Sequence, residues 1–152
     1  MKEQKISYYE KLSIISIVMY VAVFSSMFYD AYAYYALEKP AQSLLNFWGN
    51  QFLEVFLCLV AIYLLVYIAF NVLNKKITGE DRPKIKDERD NTIELKAIHA
   101  GYYTMIIGVF GAMLSAIRVE TYSPIFLTIL ASFMAAAIVA DIVRIYLYRK
   151  SS

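Results

Sequence analysis

The stretch from Phe47 to Leu73, FWGNQFLEVFLCLVAIYLLVYIAFNVL, decides the fold class of this chain. It carries a single charged residue, Glu54, and is longer than the ~20 apolar residues a helix needs to cross the ~30 Å hydrocarbon core of a bilayer. Three further runs of the same kind stand beside it: Leu12 to Leu37, Ala97 to Ile117 and Ile125 to Leu147. Inside lipid no water bonds the backbone, so an unbroken helix satisfies its own amides where an open sheet cannot. The expectation is an all-α integral membrane four-helix bundle, one domain over residues 1–152, with a loop 74–96 between the second and third spans. Composition agrees, since 60% of the residues are hydrophobic against roughly 45–50% in soluble domains.

The basic residues orient these spans. Lys2, Lys5 and Lys11 precede or open the first; Lys75, Lys76, Arg82, Lys84, Lys86, Arg89 and Lys96 surround the middle loop; Arg144, Arg149 and Lys150 close the fourth. Of the 15 lysines and arginines, only Lys39 and Arg118 lie at the other two turns. The positive-inside rule therefore expects the N-terminus, the C-terminus and the 74–96 loop in the cytoplasm of a cell membrane. A net charge of +2 understates the contrast, because the positive charge is gathered on one face.

The first run, with its basic flank and Ala31-Tyr32-Ala33, has some likeness to a cleavable signal peptide. Its apolar stretch exceeds the ~7–15 residues of such a segment, so a retained first span is expected. Cys58 is the only cysteine and lies inside the second run, which excludes an internal disulfide and a thiolate metal cage. Tyr29, Tyr32, Tyr34, Tyr35, Phe47 and Trp48 bracket the first outer turn. Tyr8, Tyr9, Tyr146 and Tyr148 mark the inner boundary, and together these rings read as an interfacial anchoring belt.

Spans three and four look made for each other. Gly101, Thr104, Gly108 and Ala112 form a stripe of small residues, with Gly111 and Ser115 beside it. Ser132, Ala136 and Ala140 repeat the four-residue spacing in the fourth span, with Ala131 and Ala135 adjoining. Such stripes let two backbones approach closely, and intrachain packing is the expectation, with homodimerisation the alternative.

Charged residues inside or at the ends of spans are the candidate sites, since they are costly in lipid. One group is Asp30, Glu54 and Arg118, all near the outer ends of their spans, where two carboxylates sharing a pocket would form a protonatable site. A second group, at the cytoplasmic mouth, is Glu94, Lys96, His99, Asp141 and Arg144. One histidine without a second histidine or a cysteine makes a poor metal site, so a polar cluster is the expectation and no metal is called for.

The third group is Lys86, Asp87, Glu88, Arg89 and Asp90, a run of dense mixed charge in the middle loop. Gly79 and Pro83 interrupt the chain before it, and Asn91 with Glu94 is spaced to cap a helix entering the third span. The run Asp87-Glu88-Arg89-Asp90, then Ile93-Glu94 and Lys96-Ala97 ahead of a glycine-bearing span, resembles the small prokaryotic multi-span membrane proteins grouped as the domain-of-unknown-function 2178 family. The resemblance covers the second half of the chain. It implies a multi-span prokaryotic membrane protein and brings no activity or site residues with it.

No phosphate-cradling Gly-x-x-x-x-Gly-Lys-Ser/Thr, no His-Glu-x-x-His and no Gly-x-Ser-x-Gly occurs. Acidic residues interleave with the loop cations, and no aromatic platform accompanies them, which argues against nucleic acid as a partner. The chain thus reads as non-catalytic and without a cofactor, with the lipid bilayer and either a protein or a further copy of itself as partners. The leading functional expectation is an accessory, regulatory or immunity-type subunit that docks a protein through residues 86–90. The alternative is a small oligomeric proton-coupled transporter or channel using the intramembrane carboxylates.

Overall fold

A computed structural model describes residues 8–35, 41–78, 87–118 and 123–150, and among them every regular element is a helix. These are α1 (Tyr8–Tyr35), α2 (Ala41–Thr78), α3 (Glu88–Arg118) and α4 (Ser123–Lys150). The chain is an all-α four-helix bundle. All four helices are long and apolar enough to cross a membrane, which is compatible with a multi-pass membrane protein. The helices run past the apolar segments at several ends: α2 continues through Lys75 and Lys76, and α3 begins a full two turns before Ala97. At a ~1.5 Å rise per residue the 38 residues of α2 extend about 57 Å, well beyond a ~30 Å hydrocarbon core.

The early start of α3 corrects the expected cap at Asn91. The helix is capped by Asp87 instead, whose Oδ1 accepts the Glu88 amide at 2.7 Å while its carbonyl accepts the Asn91 amide at 3.1 Å. Glu88 and Asp90 in the first turn suit the positive end of the helix dipole, so the acidic run that looked like loop belongs to the helix. At α4 the second residue is Pro124, a position whose missing amide costs nothing because first-turn amides have no helical acceptor.

The helices run up and down, so the starts of α1 and α3 meet the ends of α2 and α4 at one end, called here the basic end. Helix α4 is the centre of the arrangement, since it packs on α3, α1 and α2, whereas α3 packs its length on α4. Two kinds of packing result. Against α3 the contact is backbone to backbone: a Cβ on Gly101 would stand 2.9 Å from the Ala136 carbonyl oxygen and 3.2 Å from the Ala140 Cβ. A Cβ on Gly108 would overlap the Ser132 side chain. Ala97 and Ala112 are buried on the same side of α3. The stripe foreseen for close approach is therefore occupied within the chain.

On its other side α4 meets large side chains. Phe24 and Met27 of α1, Val55 of α2 and Leu130 of α4 form a buried cluster, with Phe52, Leu59 and Met134 packed around it. Trp48 departs from the belt expected for it, being only 1% exposed. Its ring stacks on Phe126 at 5.6 Å between centroids, and its Nε1 donates to Ser123 Oγ at 3.2 Å. Burial is tolerated because the one polar atom of the indole finds an acceptor at the start of α4. Tyr29, Tyr32 and Tyr146 are exposed, as an interfacial belt requires.

Elsewhere the outer faces are apolar and bare. Leu53, Leu65, Ile107, Phe110 and Ile117 are among many large side chains more than half exposed. A surface of this kind is ordinary where it faces lipid. Thr104, Thr128 and Ser132 turn their hydroxyls back onto their own helices, donating to the carbonyls of Ala100, Pro124 and Thr128. Polar residues at the α3–α4 seam thereby present little unsatisfied polarity to it.

Candidate functional site

Three helices meet at the basic end through one guanidinium. Arg144 of α4 donates from Nη2 to Glu94 Oε1 of α3 at 2.9 Å and from Nη1 to Ser13 Oγ of α1 at 3.0 Å. Its Nη1 also bonds Asp141, one turn back on α4. The arrangement follows from helical spacing: Asp141 and Arg144 lie three residues apart on one face, while Ser13 is on the buried stripe of α1 that also holds Tyr9, Ser16 and Phe24. Asp141 is 4% exposed. A carboxylate taken that far from water needs a countercharge, and Arg144 supplies it. Arg144 Nε is itself buried and has no hydrogen-bond partner among the described residues.

Around this clasp lies a second layer. Arg149 Nε donates to Glu10 Oε1 at 2.7 Å, joining α4 to α1. Tyr148 Oη donates to Asp90 Oδ1 at 3.0 Å, joining α4 to α3, and its ring stacks on Tyr9 with centroids 6.1 Å apart. Tyr8 donates to Asn71 Oδ1, which ties α1 to the end of α2. Tyr9, Ile93 and Tyr148 are buried together beneath these bonds. The inner tyrosines Tyr9 and Tyr148 are thus structural, where a belt facing the membrane boundary was expected.

Above the clasp, toward the middle of the bundle, opens a cavity of about 340 Å³. Helix α1 lines it with Ser13, Ser16 and Tyr20, and α2 contributes Tyr63. Glu94, Asp141 and Arg144 are its charged residues. Ala137 and Ala140 of α4 form the part of the wall where small side chains leave the space.

The three groups singled out from the sequence fare differently. Of the cytoplasmic-mouth group, Glu94, Asp141 and Arg144 come together as expected. Lys96 and His99 do not join them, and both are exposed. The reason is helical phase: Ile93 and Ala97 are the residues buried at this end of α3, which turns positions 96 and 99 outward. Ser13 and Glu10 were missed, because a serine or glutamate near the start of an apolar run carries no signal of the distant arginine that will meet it.

Asp30 and Glu54 are exposed on α1 and α2, and neither makes an ion pair among the described residues. Arg118 is the last residue of α3, and its side chain lies outside the described residues. In the charged run, Lys86 likewise lies outside them; Asp87 is the helix cap, Asp90 accepts from Tyr148, and Glu88 and Arg89 are exposed. Among the described residues no cluster of three or more histidine, cysteine, aspartate or glutamate side chains is placed to hold a metal ion. Cys58 is exposed on α2.

No family model matches the chain, and neither a curated protein nor a solved structure is significantly similar to it.

Proposed function

We propose that the chain is a non-catalytic integral membrane subunit, accessory, regulatory or immunity-type, that docks a protein partner at the cytoplasmic face of a prokaryotic cell membrane. The observation that carries this reading is the outward side of the first three turns of α3. Glu88, Thr92, Leu95, Lys96 and His99 are exposed there at helical spacing, while Ile93 and Ala97 on the opposite side are buried. Other charged groups at this end, Glu10, Glu94, Asp141, Arg144 and Arg149, are engaged within the bundle. A rigid helix bearing mixed charge and an exposed leucine at the membrane surface is a surface a protein can read, because opposite charges set register and an apolar residue adds contact area. The basic flanks of the middle loop and the resemblance of residues 87–97 to prokaryotic multi-span proteins support the side and the kind of membrane.

Reversing the charges in Glu88→Lys, Arg89→Glu and Lys96→Glu together tests the proposal. Recovery of a stoichiometric partner from native membranes is expected with the unaltered chain and lost with the triple variant, whose thermal midpoint in detergent stays unchanged. Undiminished recovery refutes the docking face.

A second reading, a small oligomeric proton-coupled transporter or channel, is favoured by the exposure of Asp30 and Glu54 on membrane-crossing helices. Carboxylates facing lipid are expensive, and a neighbouring copy would cover them. This reading expects pH-dependent flux in liposomes that disappears in Asp30→Asn or Glu54→Gln; flux surviving both changes excludes it.

A further inference from the structure

We infer that the cavity above Arg144 is a binding site for a small neutral aromatic molecule bearing a hydroxyl, a ligand of the phenol class taken up from the bilayer. Such a site stands apart from the docking face on α3 and does not depend on it. The side chain that points to it is Ser16 of α1. Ser16 is 6% exposed and lines the cavity, yet its hydroxyl makes no hydrogen bond among the described residues. Ser25 and Ser26 of the same helix behave differently, donating back to the carbonyls of Val21 and Val23 at 2.6 and 2.8 Å. Tyr20, one turn further along α1, lines the same cavity, and its Oη also has no hydrogen-bond partner among the described residues. A buried hydroxyl left unbonded is costly, and two of them on one wall of a cavity are matched by a molecule that bonds both.

The chemistry of that molecule follows from what stands open. Arg144 donates to Ser13, Asp141 and Glu94, so the ionic groups at the foot of the cavity already have partners. Recognition falls to the hydroxyls of Ser16 and Tyr20, each able to donate and to accept, and a ligand hydroxyl has the same two capacities. An ion would exchange its hydration for dipoles alone. The apolar body is served by flat walls: the Tyr63 ring is stacked on Tyr67 with centroids 6.1 Å apart, and Tyr20 faces the same space. Ala137 and Ala140 make the room, and about 340 Å³ lies within the ~300–1,000 Å³ of small-molecule pockets. Tyr63 is 43% exposed on the outside of α2, so this wall of the cavity reaches the lipid-facing surface from which a lipophilic ligand enters.

The test is calorimetric titration of the full chain in mild detergent with 2-naphthol, beside 2-methylnaphthalene, which has the same shape without the hydroxyl, and the charged counterparts 2-naphthoate and 2-naphthylmethylammonium. Saturable binding of naphthol is expected, about three- to tenfold tighter than methylnaphthalene, the range of a neutral hydrogen bond, and tighter than either ion. Ser16→Ala with Tyr20→Phe should bring naphthol down to the affinity of methylnaphthalene and leave methylnaphthalene itself unchanged. Neither substitution removes a bond of the Arg144 clasp, so the thermal midpoint should hold. Ala137→Leu, which fills the cavity, should abolish binding of both. Absence of saturable binding, equal affinity for naphthol and methylnaphthalene, tighter binding of either ion, or a naphthol preference that survives in the folded double variant overturns the proposal.

Discussion

The two sides of α4 solve the same packing problem in opposite ways. Toward α3 it presents Ser132, Ala136 and Ala140 to glycines, so backbones touch and side chains contribute little volume. Toward α1 and α2 it presents Leu130 and Phe126 to Phe24, Val55 and Trp48, so interlocked large side chains fill the gap. In lipid neither side gains from escaping water, because the tails are as apolar as leucine; both rely on van der Waals contact and on the bonds that cross the seam. The difference lies in tolerance. A side-chain core can repack around a lost methyl group, whereas a backbone seam has nothing to move except a whole helix.

The largest expected effect comes from the residue that joins both sides. Arg144→Leu leaves Asp141 and Glu94 without their common countercharge, and loss of one partner from a buried pair costs about 3–5 kcal/mol. Thermal unfolding in detergent should show it, and adding Asp141→Asn to the same chain should recover a measurable part. If the double variant is no better than the single one, the clasp is not held by charge.

Next is Gly108→Leu, whose side chain would collide with Ser132 and force α3 away from α4 at a cost of about 3 kcal/mol, the upper range for overpacking. A cysteine pair placed across the seam should stop cross-linking, while one between α1 and α4 should continue to do so. Leu130→Ala in the other side of α4 is expected to cost less, about 2 kcal/mol, because its neighbours can settle inward and lipid removes part of the transfer penalty. A larger loss for Leu130→Ala than for Gly108→Leu would reverse the proposed difference between seam and core.

The smallest effect has the opposite sign. Gln51 is 8% exposed on α2, and its Oε1 has no hydrogen-bond partner among the described residues. Gln51→Met keeps the volume and removes the stranded acceptor, so the thermal midpoint should rise by the equivalent of about 1 kcal/mol. A fall would show that the amide contributes a bond worth more than the stranded oxygen costs.

Part of the candidate site was legible in advance. Asp141 and Arg144 announce each other by spacing three residues apart in an apolar helix, and Glu94 is brought near them by antiparallel packing of consecutive spans. Ser13 was not legible, since its bond to Arg144 crosses 131 positions. Lys96 and His99 were placed wrongly in the cluster because proximity along α3 was read without its rotation; Ile93 and Ala97 set that rotation by being the side chains that fit against the bundle. Trp48 was read as a boundary residue by type, and only its partners Phe126 and Ser123 reveal a buried ring.

By itself the sequence determined that this is a chain of four apolar helices, because helix length and backbone satisfaction in lipid are local requirements that each run meets alone. It also determined the close α3–α4 seam, since small residues at four-residue spacing have few other uses in adjoining spans. The tertiary structure alone decided that α4 is the centre, that Arg144 gathers α1 and α3 to it, and that a cavity remains above the clasp. Those features depend on the order and rotation of helices around one another, and that choice is made by the sum of side-chain fits between segments far apart in the chain.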